Sequence, residues 1–156
     1  MELIERAGVT IRDRQWLVDI ADTPWKLTQG LSDIPEISLG TGMLFDVGWV
    51  HHITVTTARM MFPLDVAFIS ESLVIADIRR GLTPGEIVTS DTPARYFLEV
   101  NAGELSGIGL GDHVSIELIA QEETPNLVSN WVNMAILVVS LAVAGTFAVS
   151  VARGRI

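Results

Sequence analysis

A chain of 156 residues has room for one domain of ordinary size, and it is acidic, with 19 Asp and Glu against 10 Lys and Arg and a formal net charge of -9. No basic stripe interrupts that field, because Arg79-Arg80 is the only adjacent basic pair, and this argues against nucleic acid as a partner. Cysteine is absent, which excludes disulfides, thiolate metal sites and cysteine nucleophiles.

The first 120 residues break into short apolar runs separated by Gly, Pro, Asp and Asn, the pattern of strands and turns. Strands are predicted at Val9 to Ile11, Gln15 to Ala21, Gly42 to Phe45, His52 to Thr57, Val66 to Ser70, Leu73 to Arg79, Ala94 to Val100 and Ser115 to Ile119. Thr23-Pro24 before WKLTQG predicts a capped helical turn, with Thr23 at the cap, Pro24 at the first position and Gly30 as terminator. A second short helix is predicted from Asn101-Ala102-Gly103-Glu104, sending Leu105, Ile108 and Leu110 to the core. Trp16 and Trp25 are expected to anchor that core. Residues 121–130 read as a polar linker.

The run from Trp131 to Ala152 holds 22 residues without a charge. At about 1.5 Å per residue it reaches roughly 33 Å, so it predicts a single membrane-spanning helix followed by a basic tail, 153–156. Arg153 and Arg155 lie in that tail, leaving eight bases against all 19 acids before the span, a formal charge of -11. Ser140, Ala144 and Ala148 recur every four residues with Gly145 beside them, a small-residue face on which another transmembrane helix, from a second copy or from a different protein, could pack. The arginines favour a cytoplasmic C-terminus, whereas the N-terminal MELIERAGVTIRDRQW has no apolar core of a secretory signal. The missing signal carries more weight, and the domain is expected on the cytoplasmic side of the membrane.

Four segments in order resemble domain-of-unknown-function family 192 of bacteria and archaea. They are Ile20-Ala21-Asp22-Thr23-Pro24 with Gln29-Gly30-Leu31; Gly42-Met43-Leu44-Phe45; Pro63-Leu64-Asp65-Val66-Ala67-Phe68-Ile69; and Ala94-Arg95-Tyr96-Phe97-Leu98-Glu99-Val100 with Ala102-Gly103 and Gly109-Leu110-Gly111-Asp112. The resemblance covers about residues 9 to 120. It implies a mainly β fold, α+β at the margin, in a compact barrel-like domain over residues 1–120 with one or two short helices, and it implies no activity. Members of that family carry Trp-Met-Lys-Asn-Thr before the Pro-Leu-Asp, where this chain reads Thr56-Thr57-Ala58-Arg59-Met60.

Few residues invite a chemical role. Asp65 leads into the apolar run VAFI, where partial desolvation would raise its pKa for acid-base work; the alternative is a turn carboxylate that accepts backbone N–H groups. Arg59 and His51 complete a candidate polar site with Asp65. His51 and His52 are adjacent and would point to opposite faces of a strand, so with His113, Asp46 and Asp112 they show no spacing that promises a metal, and no metal or cofactor is predicted. No serine stands in a G-x-S-x-G elbow, and the glycines from Gly103 to Gly111 lack the Lys-Ser/Thr ending of a phosphate loop. Met60-Met61-Phe62 beside Trp49 and Val50 reads as strand core or as an apolar patch for a partner or lipid. The chain is therefore expected to be a non-enzymatic, membrane-anchored accessory module within a larger assembly or homo-oligomer. The alternative is a ligand-binding or hydrolase-like domain using Asp65 and Arg59 at a barrel mouth.

Overall fold

The structure is a computed structural model that describes residues 5–120. The chain divides into two units, Met1–Gln121 and Glu122–Ile156, and the fold described is that of the first. The predicted span at 131–152, its packing residues Ser140, Ala144, Gly145 and Ala148, and the linker and tail lie outside the described residues. Among the described residues no helix is long and apolar enough to cross a membrane.

Among the described residues nine strands and one helix follow in the order β1 (Arg6–Ile11), β2 (Arg14–Ala21), α1 (Pro24–Gln29), β3 (Thr41–His51), β4 (Thr54–Thr56), β5 (Leu64–Ile69), β6 (Ile75–Leu82), β7 (Ile87–Thr89), β8 (Ala94–Asn101) and β9 (Val114–Ile119). Seven of the strands make one sheet in the order β6-β5-β8-β3-β2-β1-β9, and β4 pairs with β7 in a separate ribbon. Only β2 and β3 pair in parallel, from Leu17↔Thr41 to Ala21↔Phe45, and the crossover between them carries α1. A parallel pair cannot be joined by a tight turn, so this crossover is a topological necessity as well as the place where the helix forms.

Both faces of the central strands are buried. Every residue of β5 is buried, with Ala67 and Ile69 in one apolar cluster and Leu64, Val66 and Phe68 in the other. The first cluster gathers Val9, Trp16, Leu44, Leu98 and Leu105; the second gathers Phe45, Ile53, Val55, Met60 and Phe97, with Phe45 stacked on Phe97 at 4.1 Å between ring centroids. A strand covered on both sides reads as an unbroken apolar run, as LDVAFI does apart from its aspartate.

The sheet rolls but does not close, which corrects the expected barrel. Its two edges, β6 and β9, meet at a single bridge, Val74↔His113, flanked by the bonds Ile75 N–H to the Asp112 carbonyl and Val114 N–H to the Leu73 carbonyl, each 2.9 Å. Antiparallel pairing continued from that bridge would lay β6 beside residues before His113, not beside β9. There the chain cannot extend, because Gly103, Gly107 and Gly111 all take positive φ, of 92°, 82° and 85°. The same glycines correct the second predicted helix. Residues 102–107 form a run of turns with i to i+3 bonds such as Ser106 N–H to the Gly103 carbonyl, 3.2 Å. That run still delivers Leu105 and Ile108 to the core, while Leu110 is exposed.

Candidate functional site

The three residues singled out as a polar site each have other work. Asp65 is fully buried, and its carboxylate accepts three backbone N–H groups: Gly81 at 2.8 Å on Oδ1, and Gly103 at 2.9 Å and Leu105 at 3.1 Å on Oδ2. It clasps β6 and the glycine turns to β5; it accepts backbone N–H groups, but from within a strand and not from a turn. Arg59 pairs with Asp33, whose N–H in turn donates to the Arg59 carbonyl at 2.9 Å, and both side chains are more than half exposed. His51 ends β3 with Nδ1 3.0 Å from the Trp49 carbonyl and its ring 4.9 Å from the Trp49 ring. No hydrogen bond or ion pair joins the three among the described residues.

The other polar candidates also serve the fold. Asp112 accepts the Gly109 N–H at 2.7 Å and pairs with Arg12 at 2.8 Å, and these contacts, the first foremost, hold its carboxyl below the usual range. Asp46 is gripped by Arg95 at 3.2 Å, and Arg95 also reaches Glu71. Arg79 and Arg80 lie on β6; Arg80 donates to the carbonyls of Leu105 and Ile108, at 3.3 and 2.6 Å. Among the described residues no group of three or more His, Asp or Glu is placed to hold a metal ion.

One acidic residue is buried without such work. Along β8, Phe97 enters the second cluster while Leu98 and Val100 enter the first, so alternation turns Glu99 to the Phe97 face. There its cross-strand neighbours are Met43 on β3 and Val66 on β5, both apolar. Glu99 is 5% exposed, and no hydrogen bond to its side chain is formed among the described residues. Desolvation pushes its pKa up to about 8, so the carboxyl is held protonated at neutral pH. Sequence reading passed over it; the available signal was an acid between Leu98 and Val100 in an otherwise apolar strand.

Met43 also lines a cleft of about 270 Å³ between α1 and the β2–β3 pair. Thr23 opens α1 with an extended backbone (φ -105°, ψ 154°), and its hydroxyl accepts the Lys26 N–H at 3.3 Å; Pro24 follows, and the Gly30 N–H closes onto the Lys26 carbonyl at 2.8 Å. No residue of the helix is fully buried, although Leu27 packs against the second cluster. Trp25, Lys26 and Gln29 line the cleft from the helix side, and Asp19, Ile20 and Ala21 from β2. Trp25 is 69% exposed, a correction to its expected place in the core. The acidic and basic groups are compensated locally: Arg6 Nε is 3.0 Å from Asp19 Oδ1, and Lys26 Nζ is 3.7 Å from Asp22 Oδ1. Glu99 thus stands one strand spacing, about 4.8 Å, behind a residue of the cleft wall.

The model of domain-of-unknown-function family 192 (DUF192), described as "Uncharacterized ACR", matches residues 7–116. No curated protein matches the chain with significance. Among solved structures, a protein of Sinorhizobium meliloti 1021 provisionally named a transcription regulator is similar at 28% identity and a TM-score of 0.67, over 74% of this chain and 98% of its own. A protein of unknown function from Novosphingobium aromaticivorans DSM 12444 shares the fold at 23% identity and a TM-score of 0.64, over 70% of this chain and 83% of its own.

Proposed function

The chain belongs to DUF192, a family that brings no reaction with it, and on that premise we propose that it is a non-enzymatic accessory module, anchored in a membrane by residues 131–152 and joined there to other transmembrane helices. One observation carries the non-enzymatic part: Asp65, the best-placed candidate for acid-base chemistry, has both carboxylate oxygens committed to backbone amides of its own fold. A hydrolase would need that carboxylate open to water or substrate, and Asp65 is fully buried. The anchoring part rests on 22 uncharged residues, and the assembly part on the small face of Ser140, Ala144, Gly145 and Ala148. The Sinorhizobium protein's provisional name points to transcription, and a charge of -11 over residues 1–130 of this chain opposes direct contact with nucleic acid.

The test is purification from native membranes in mild detergent, followed by identification of whatever accompanies the protein. Stoichiometric partners, or a defined homo-oligomer, are expected. A monodisperse lone monomer, or recovery in the soluble fraction, would overturn the proposal. Replacing Ala144 and Gly145 by Leu should dissociate the assembly; an unchanged assembly would remove the small-residue face from the account.

The second reading, a domain that binds a small ligand, gains from the α1 cleft and no longer from Asp65 and Arg59.

A further inference from the structure

We propose that the cleft between α1 and the β2–β3 pair binds an uncharged hydroxylated ring, a pyranose unit of a sugar, seated on the Trp25 indole. The site is independent of the anchoring helix, and its test does not depend on the assembly.

Trp25 gives the first reason. Trp25 is 69% exposed beside a concave surface, and its indole makes no hydrogen bond or ring contact among the described residues. An exposed aromatic face is an apolar plane, and the C–H face of a pyranose is a complementary one; the indole Nε1–H at its edge is a donor for a ring hydroxyl. Trp49, exposed to a similar extent, is instead stacked on His51 and lies outside the cleft.

The charges give the second. Asp19 is paired with Arg6 and Lys26 with Asp22, so the charges at the rim are compensated within the protein and give a charged ligand little net attraction. A hydroxyl needs no such attraction. It can donate to a carboxylate oxygen of Asp19, accept from the Lys26 ammonium, or donate to Gln29 Oε1, whose amide is oriented by Nε2 donating to the Ser32 carbonyl at 3.2 Å. Polar groups of both hydrogen-bonding senses thus surround an apolar wall of Ile20, Ala21 and Met43, which suits a ring with one apolar face and a polar rim.

Size gives the third. About 270 Å³ lies just below the roughly 300–1,000 Å³ of pockets for drug-sized ligands, which leaves room for one ring and an open side for whatever the ring is attached to.

The ring could come from a free monosaccharide or from a unit within a glycan, and the experiment separates them. Full-length protein in a polyoxyethylene detergent, which has no sugar headgroup, is titrated by calorimetry with glucose, galactose, mannose and N-acetylglucosamine, and with oligosaccharides of each. Saturable heat with at least one of them is expected. Trp25→Ala should weaken that binding at least tenfold and Gln29→Ala several-fold, while Trp49→Ala leaves it unchanged. Tighter binding of the oligosaccharide assigns the ring to a glycan; equal binding assigns it to a free sugar. The proposal is overturned if no sugar saturates, if Trp25→Ala binds as the parent does, or if acetate or tetramethylammonium occupies the cleft in a Trp25-dependent way and the sugars do not.

Discussion

Asp65 and Gly103, 38 residues apart in the chain, are joined by a 2.9 Å bond from the Gly103 amide to the Asp65 carboxylate, and that bond holds the glycine turns against β5. Gly81 and Leu105 complete the set at the same carboxylate. A buried carboxylate with three amide donors is tolerated because its charge is shared among them, so the cost of disturbing it falls on the fold.

Asp65→Asn would turn an amide NH2 toward either the Gly81 N–H or the N–H groups of Gly103 and Leu105, and leave what it faces without an acceptor. Hydrogen bonds to a charged group contribute about 1.5–3 kcal/mol each, so a loss of at least about 2 kcal/mol is expected, read as a lower denaturation midpoint. Hydrogen exchange should quicken at Gly103 and Leu105 or at Gly81, according to which way the amide faces. An unchanged midpoint would mean that the carboxylate is not a clasp.

Glu99 predicts a pH dependence of the opposite sense to most acidic residues. Its pKa is raised from 4.5 to about 8 by desolvation, and its cross-strand neighbours Met43 and Val66 carry no charge. Between those two values the unfolded chain releases the proton while the folded chain keeps it. The unfolded state then binds fewer protons, so this group's contribution to stability falls as pH rises through the window and levels off above about 8. The slope is at most about 1.4 kcal/mol per pH unit. Glu99→Gln should remove it, so the stability difference between variant and parent should grow in the variant's favour from pH 5 to about pH 8. A difference that stays flat with pH would show that the carboxyl is ionised in the fold.

Much of the strand layout was legible locally, because alternation and turn residues act over a few positions. The α1 start at Thr23-Pro24 and its stop at Gly30 stand as read, and β2, β5 and β8 fall within two residues of their predicted bounds. β7, Ile87–Thr89, is too short for alternation to mark between Gly85 and Pro93. What the residues could not show was which face of a strand meets a second layer. Asp65 and Glu99 are both acids in apolar strands; only tertiary contacts make one a clasp with three donors and leave the other protonated among apolar neighbours. The cleft was hidden for the same reason, since it depends on β2 pairing in parallel with β3 across the α1 crossover.

Gly42 stands opposite Val100 on the β3–β8 ladder. A Cβ there would lie 2.3 Å from the Glu99 carbonyl oxygen and 3.0 Å from Val100 Cγ1, and backbone cannot yield as a flexible side chain can. Gly42→Ala should therefore cost at least the upper part of the roughly 1–3 kcal/mol typical of overpacking, seen as a lower melting temperature. Because the β3–β8 ladder also positions Met43 beside Glu99, the variant should narrow the pH window described for Glu99 as well. A variant as stable as the parent would mean that the two strands separate without penalty.

Trp16 and Trp25 carry the same side chain nine residues apart and should respond oppositely to truncation. Trp16 is 2% exposed in the first cluster, opposite Val9 across the β1–β2 ladder. Trp16→Ala removes a large buried side chain and leaves a cavity, a change that costs about 3–5 kcal/mol in cores of this kind. Trp25→Ala removes a side chain that is mostly in water, and surface changes stay within about 0.5 kcal/mol. Thermal unfolding of the two variants in the same detergent should show a large downward shift for the first and almost none for the second. A large shift for Trp25→Ala would place its indole in the core and would take away the platform on which the cleft's ligand is proposed to sit.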